Sequence, residues 1–367
     1  MKKLKIIISG GGTGGHIFPA LSIAGEFRNR FPDCEIQFVG ALGRMEMEKV
    51  PAAGYPITGL PVIGMPRKPG LDSLRFLWKL WLSMNRARKI IREFQPDIAI
   101  GVGGFASGPL LRAAVSAHIP ALIQEQNSFA GKTNQWLGDK AGCICVAYDG
   151  MEKFFPAAKI VLTGNPVRKN LLTAPQSKEE ALSWFHLDRN RKTVLLTGGS
   201  LGARSLNNAV LQNLEVIRNS GYSVIWQTGS LYFREMTEKT KGILPETVQI
   251  HQFLDRMELA YSAADIVVSR AGAGTISELC LVAKPVILIP SPNVAEDHQT
   301  RNAMALVQQE AAIMIRDEEI GVKLFPEVNR LLNNPPEMEK LSENISKLAL
   351  PDATSRIVDE ALKLIRK

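Results

Sequence analysis

Near the start of the chain a histidine follows directly on a cluster of glycines: Gly10-Gly11-Gly12-Thr13-Gly14-Gly15-His16, itself preceded by the apolar run Ile6-Ile7-Ile8-Ser9. A glycine-rich turn between a strand and a helix lets backbone N–H groups approach a phosphate, and the positive end of the helix adds to the attraction. The same helix end disfavours a charged imidazole, so His16 reads as a neutral base able to accept a proton. Gly10, Gly12 and Gly15 formally match G-x-G-x-x-G. A dinucleotide site would also need a carboxylate at the end of the second strand, where Gly40-Ala41-Leu42-Gly43 carries none.

Further glycine clusters at 101–104, 198–202 and 272–274 also follow apolar runs. Loops that follow parallel strands gather at the carboxyl ends of their sheets, where ligands bind in open α/β folds. After the last cluster, Glu278 is placed to accept hydrogen bonds from a ribose diol while the turn holds phosphate; as a first-turn acid it would also favour the helix dipole. The sequence has neither D-x-D nor H-E-x-x-H, so neither a carboxylate-bound metal nor a zinc hydrolase is indicated. A reaction that releases a diphosphate without a metal must stabilise it with backbone amides, a helix end and arginine; the 198–202 loop and Arg168 offer these groups.

The elements that must position these residues are legible as alternating patterns. Apolar runs at 4–9, 35–39, 97–102, 121–124, 194–197, 222–227, 265–269 and 285–290 read as buried parallel strands, with helix-period stretches at 18–30, 74–94, 205–220 and 275–282 between them. The halves repeat one plan of strand, glycine cluster and helix, which predicts an α/β protein of two Rossmann-like parallel-sheet domains in tandem whose carboxyl edges face across a cleft. Gly164-Asn165-Pro166 marks the boundary, giving domains at 1–164 and 165–352 with a hinge near Asn165. A last helix, 353–366, follows Pro351, with Asp352 as its expected cap.

The 367 residues, 45% hydrophobic and 22% charged, suit two globular domains. The net charge of +8 favours a polyanionic partner. The apolar run after the first lysines is too short for a signal peptide, and no stretch of eighteen apolar residues occurs, so the chain is expected to stay on the side where it is made. Four cysteines in so long a chain are expected to be thiols rather than a disulfide framework or a zinc site.

Taken in order, Gly11-Gly12-Thr13-Gly14-Gly15-His16, Gly101-Val102-Gly103-Gly104-Phe105-Ala106-Ser107-Gly108-Pro109, Gln124-Glu125-Gln126-Asn127, Gly164-Asn165-Pro166-Val167-Arg168, Gly198-Gly199-Ser200-Leu201-Gly202-Ala203, Arg270 to Glu278 and Asp297 to Ala303 resemble the MurG family of bacterial glycosyltransferases over nearly the whole chain. The resemblance implies a GT-B fold, and inverting transfer of N-acetylglucosamine from UDP-N-acetylglucosamine to the 4-hydroxyl of an undecaprenyl-linked acceptor, lipid I, giving lipid II. It implies that the C-terminal helix, 353–367, completes the first domain. Donor contacts would fall on Thr13, Gly14, Asn127, Arg168, Ser200, Leu254, Ala273, Gly274, Thr275, Glu278, Gln299 and Asn302, with Arg168 and Ser200 at the diphosphate and Glu278 at the ribose. Acceptor contacts would fall on Gly14, Gly15, Gly103 and Gly104, and catalytic roles on His16, Glu125 and Asn127. His16 is the first candidate for general base, with Glu125 and the acceptor's own diphosphate as competitors. Gln124 and Phe105 stand where many members carry histidine and tyrosine, and His298 where some carry glutamine.

No bound cofactor is required on this reading, and a divalent cation would ride on the acceptor diphosphate. The competing reading is another enzyme of the same architecture, such as a UDP-N-acetylglucosamine 2-epimerase or a soluble glycosyltransferase. Residues 71–89 bear on the choice, because Trp78 and Trp81 lie among Arg75, Lys79, Arg86, Arg88 and Lys89, as in an interfacial helix. Arg75, Phe76, Lys79, Leu80 and Trp81 are the expected membrane contacts, although apolar residues nearly encircle the helix and part of it must be core. The expected place is the cytoplasmic face of the inner membrane, with an anionic lipid surface and other cell-wall synthesis proteins as partners. Nucleic acid is not expected, since neither a recognition helix nor basic strands interleaved with aromatics occur.

Overall fold

The computed structural model describes residues 3–64, 70–167, 171, 177–294 and 297–366. The chain forms two compact units, one of Met1–Val167 with Leu350–Lys367, the other of Arg168–Ala349.

In the first unit the strands are β1 (Lys5–Gly10), β2 (Glu35–Ala41), β3 (Ile57–Leu60), β4 (Ile98–Gly103), β5 (Ala121–Glu125), β6 (Cys143–Val146) and β7 (Ile160–Leu162). They form a parallel sheet in the order β3-β2-β1-β4-β5-β6-β7. The helices are α1 (Gly14–Arg30), α2 (Glu46–Ala52), α3 (Leu71–Phe94), α4 (Ser107–Ser116) and α5 (Lys132–Gly138). Ile6, Ile7 and Ile8 are all fully buried, because alternate residues meet helices on opposite faces of the sheet.

The second unit repeats the plan, with β8 (Thr193–Thr197), β9 (Ser223–Gln227), β10 (Val248–His251), β11 (Ile266–Ser269), β12 (Val286–Leu288) and β13 (Ile313–Met314) in the parallel order β10-β9-β8-β11-β12-β13. Its helices are α6 (Lys178–Trp184), α7 (Arg204–Gln212), α8 (Leu214–Arg218), α9 (Phe233–Thr240), α10 (Met257–Ala263), α11 (Ala273–Val282), α12 (His298–Val307), α13 (Ile320–Leu332) and α14 (Pro335–Ser346). Each sheet therefore has a switch point, between β1 and β4 and between β8 and β11, where chain direction across the sheet reverses and a crevice opens at the carboxyl ends.

The opposite ends carry matching latches. Asp97 accepts the Lys5 amide at 2.8 Å and donates its own amide to the Lys5 carbonyl at 2.8 Å; Asp265 does the same with Thr193, at 2.8 and 2.7 Å. The repeat read in the glycine clusters thus extends to how the two central strands of each sheet are tied.

Several expectations are revised. The stretch 205–220 is two helices, since Asn213 breaks the run and its side-chain amide donates to the carbonyls of Ala209 and Gly321. Asn165 is buried, its amide donating to the Gln126 carbonyl and its oxygen accepting from Gln124, and the first unit extends to Val167. Asp352 occupies the cap position without a side-chain cap bond. All four cysteines are free thiols, Cys143, Cys145 and Cys280 are buried, and burial pushes the Cys280 thiol up to about 12.

The final helix, α15 (Ala353–Ile365), lies against α1 and β6 of the first unit. Ala353, Ile357, Val358 and Ala361 form its buried stripe, and Ile357, Val358 and Ala361 enter the core beside Ile17, Phe27 and Cys145. Arg30 reaches across from α1 to Asp359 at 2.5 Å and to the Ser355 carbonyl. The helix is thus a structural part of the first unit, and Ile357→Ala should cost about 2–5 kcal/mol of its stability. The check is urea unfolding, with a lower midpoint expected at an unchanged slope.

Candidate functional site

In the first unit the candidate residues converge at the switch point. Gly103 and Gly104 have φ of +107° and +90°, conformations that favour glycine. The loops also touch: a Cβ on Gly104 would lie 2.5 Å from the Gly11 carbonyl oxygen, and one on Gly103 would lie 2.7 Å from His16 Nε2. The two glycine loops are therefore in backbone contact, and the imidazole sits against the second of them.

His16 Nδ1 lies 3.0 Å from the Gly11 carbonyl oxygen. A carbonyl can only accept, so in the neutral ring Nδ1 carries the proton and Nε2 bears the lone pair. That is the tautomer a general base at Nε2 requires. Thr13 and Gly15 are exposed beside it, while Gly14 is half-buried.

Glu125 ends β5 and is buried. One carboxylate oxygen accepts from the backbone and side-chain amides of Asn127 at 3.1 and 3.3 Å, the other from the Gly131 amide at 3.0 Å and Asn134 at 2.8 Å. Four N–H donors occupy this carboxylate, so its evident work is to shape the 127–131 loop and present Asn127. Gln124, one residue back, is also internal and bonded to Asn165 and Gln126. Phe105 is exposed, its ring against Gly64.

Glu46 and Gln227 were not singled out by sequence reasoning. Glu46, in the first turn of α2, turns back to the first glycine loop and accepts from Gly12 and Ala41 amides. A carboxylate does stand near the end of β2, but it is 1% exposed and bonded to the chain itself, so it offers nothing to a ribose. Gln227, in the second unit, donates to Thr197 and to the Gly199 carbonyl and accepts from the Leu254 amide at 3.1 Å. It joins the loop after β8 to the one after β10. Gln227 closes the apolar run Val224-Ile225-Trp226, which is the one signal the sequence gives for it; Glu46 lies among Arg44, Glu48 and Lys49, where nothing sets it apart.

The remaining candidates stand at strand ends of the second unit. Ser200 is exposed in the turn after β8, and Leu254 is buried after β10. Ala273, Gly274 and Thr275 open α11 and are half-buried. Glu278 accepts from the Tyr261 hydroxyl at 3.2 Å. The first turn of α11 holds no acid, so Glu278 lies too deep in the helix for the first-turn dipole role. Gln299 accepts from the Ser291 amide at 2.9 Å, and Asn302 is buried with its amide toward the Ala271 carbonyl. Arg270 donates to Asp317 at 2.5 Å and to Ser205 at 2.7 Å, tying the loop after β11 to the start of α7. Arg168 lies outside the described residues.

On α3 the structure sorts the expected membrane contacts into two faces. Leu74, Leu77, Trp78 and Trp81 are each 57% or more exposed and lie along one stripe, with Arg75 exposed beside them. Phe76, Lys79 and Leu80 are half-buried, and Ser83, Ala87 and Ile90 continue inward. The apolar surface presented outward is therefore set by Trp78 and Trp81 rather than by Phe76 and Leu80. No helix among the described residues is long and apolar enough to cross a membrane.

The glycosyltransferase family 28 N-terminal domain matches residues 6–146, and the family's C-terminal domain matches residues 193–357. A Parabacteroides distasonis protein named UDP-N-acetylglucosamine--N-acetylmuramyl-(pentapeptide) pyrophosphoryl-undecaprenol N-acetylglucosamine transferase is 56% identical over 367 residues, all of both chains. The crystal structure of Acinetobacter baumannii MurG superposes with a TM-score of 0.80 at 26% identity, over 99% of this chain and 100% of that one. A UDP-N-acetylglucosamine 2-epimerase structure matches 99% of this chain and 96% of its own with a TM-score of 0.66, but at 17% identity that likeness is one of fold alone. The paired parallel sheets and these matches together place the chain in glycosyltransferase family 28, with the GT-B fold.

Proposed function

We propose that the chain transfers N-acetylglucosamine from UDP-N-acetylglucosamine to the 4-hydroxyl of the N-acetylmuramyl group of lipid I, with inversion, giving lipid II for peptidoglycan. The observation that carries this reading is the 56% identity, end to end, with a relative whose name states that donor and acceptor. The epimerase alternative has only the shared fold behind it. The deciding assay is release of UDP from UDP-N-acetylglucosamine with and without a lipid I analogue: release that depends on the acceptor supports transfer, and acceptor-independent release overturns it.

In the reaction the acceptor hydroxyl attacks the anomeric carbon while UDP departs from the opposite face. Charge grows on the sugar ring and the diphosphate, so positioning and stabilisation of the leaving group carry most of the acceleration. Arg168 and the turn bearing Ser200 are assigned to the diphosphate, Leu254 and Ala273–Thr275 to uracil and phosphate, Glu278 to the ribose, and Gln299 and Asn302 to the sugar. Thr13, Gly14, Gly15, Gly103 and Gly104 are assigned to the acceptor side, with Thr13, Gly14 and Asn127 also reaching the donor. His16 is assigned as general base on the strength of its Nδ1–H tautomer. Glu125, its oxygens engaged by four donors, is assigned to positioning Asn127. Among the described residues no three His, Cys, Asp or Glu side chains converge on a metal site, and any divalent cation is assigned to the acceptor diphosphate.

The site of action is assigned to the cytoplasmic face of the inner membrane, with α3 laid on anionic lipid and other cell-wall enzymes nearby. The exposed stripe of Leu74, Leu77, Trp78 and Trp81 flanked by Arg75 supports the contact of α3 with lipid.

Three outcomes follow from these assignments. Glu278→Ala should raise KM for the UDP-sugar far more than KM for the acceptor; equal effects on both would remove Glu278 from the ribose. Trp78→Ser with Trp81→Ser, or Arg75→Glu with Lys79→Glu, should weaken cosedimentation with anionic vesicles, each lost basic residue counting for about 1 kcal/mol. Unchanged sedimentation would remove α3 from the membrane. His16→Ala should lower kcat by roughly a hundredfold to ten-thousandfold with UDP affinity nearly unchanged, and should abolish the acidic limb of the kcat profile. A near-normal kcat with that limb intact would leave the acceptor's own phosphate as the base.

A further inference from the structure

The buried carboxylate of Glu46 has no place in the mechanism above, yet it is bonded to the loop that carries His16. It is 1% exposed, and one oxygen accepts from the Gly12 amide at 2.8 Å while the other accepts from the Ala41 amide at 3.0 Å. A buried carboxylate without such partners would cost several kcal/mol, so these bonds fix the loop as firmly as the loop fixes the side chain. The fit is close on every side: a Cβ on Gly11 would fall 2.2 Å from a Glu46 oxygen, and one on Gly40 would fall 2.6 Å from Glu46 Cγ. Gly40 and Gly11 are thus the walls of a slot made for this one side chain.

Two consequences concern the chemistry. First, the Gly12 amide, immediately ahead of the Thr13 cap of α1, is already taken by an internal anion; α1 itself has no side-chain cap bond and no acid in its first turn. Glu46 therefore occupies the place at this helix start that a phosphate takes in nucleotide-binding glycine loops. Second, with Gly12 held from one side and Gly11 packed on the carboxylate, the Gly11 carbonyl is aimed at His16 Nδ1, 3.0 Å away.

We infer that Glu46 is a positioning residue for the transfer: by clamping Gly12 to the end of β2 it orients the Gly11 carbonyl, which in turn holds His16 in the Nδ1–H tautomer with Nε2 as the basic nitrogen. This rests on the assignment of His16 as base. The first glycine loop then serves to present a base, and the Gly12 amide is not a phosphate ligand for either substrate.

The test uses the full-length enzyme with Glu46→Gln, which keeps the shape but turns an NH2 toward one of the two amide donors. A second variant, Glu46→Asp, keeps the charge but is a methylene too short to reach both. Both should lower kcat by up to about a hundredfold, the cost of a misplaced catalytic group, while affinity for UDP, assigned mainly to residues of the second unit, changes far less. Nitrogen-15 spectra of the His16 ring should show loss of the single Nδ1–H tautomer. In the His16→Ala background, Glu46→Gln should cause little further loss, because the two act through one group. Wild-type kcat and an unchanged ring tautomer in both Glu46 variants, with His16→Ala impaired, would overturn the role of Glu46. So would losses that add fully to that of His16→Ala. A near-normal kcat in His16→Ala would instead overturn the base assignment, and with it the catalytic consequence drawn for Glu46.

Discussion

The close approach of two backbones at the switch point of the first sheet is the constraint on which its site depends. Gly104 lies against Gly11, with a +90° φ and no room for a Cβ, and Gly103 lies against the His16 ring. Parallel strands diverge to opposite sides at such a point and leave a crevice between the loops that follow them. Here a Cβ on Gly103 or Gly104 would collide with the His16 ring or the Gly11 carbonyl, so glycine is what lets the two loops meet. The second sheet has the same order around its own switch point.

Buried carboxylates govern how the loops are held. Glu46 and Glu125 each take backbone amides from the loop they brace, and Glu278 takes the Tyr261 hydroxyl. An ionised group withdrawn from water is tolerated when donors surround it, and those donors are then fixed in return. The division of labour follows from the partners. A carboxylate engaged by the chain's own N–H groups, as Glu46 and Glu125 are, stabilises loop geometry, whereas Glu278 on α11 accepts from a side-chain hydroxyl. The neutral polar side chains Gln227, Asn165 and Gln124 extend the same bracing between neighbouring strand ends.

The helix α3 shows burial dividing one amphipathic segment between two tasks. Its inner residues Ala87, Ile90 and Ile91 join the core, while Trp78 and Trp81 remain 60% exposed. Exposed tryptophans beside cationic side chains suit the boundary of water and lipid, where an aromatic body can be buried and a charged head stay wet.

From the sequence alone the central strands, the glycine clusters, the repeat and the family could be read, because strands buried on both faces leave unbroken apolar runs and each glycine cluster follows one directly. The edge strands β3, β7, β10 and β13 escaped, since they are short and only partly covered, and so did β6, which is buried between β5 and β7 but only four residues long. His16, Glu125 and Glu278 stood out by their place in motifs. What their side chains do was decided only by tertiary structure: whether Glu125 is open or saturated, which imidazole nitrogen carries the proton, and which face of α3 is outward. Glu46 makes the reason plain. Its partners are thirty-four residues away in Gly12 and five away in Ala41. A hydrogen bond between strand ends is a relation of geometry, which the spacing of residue types along the chain does not encode.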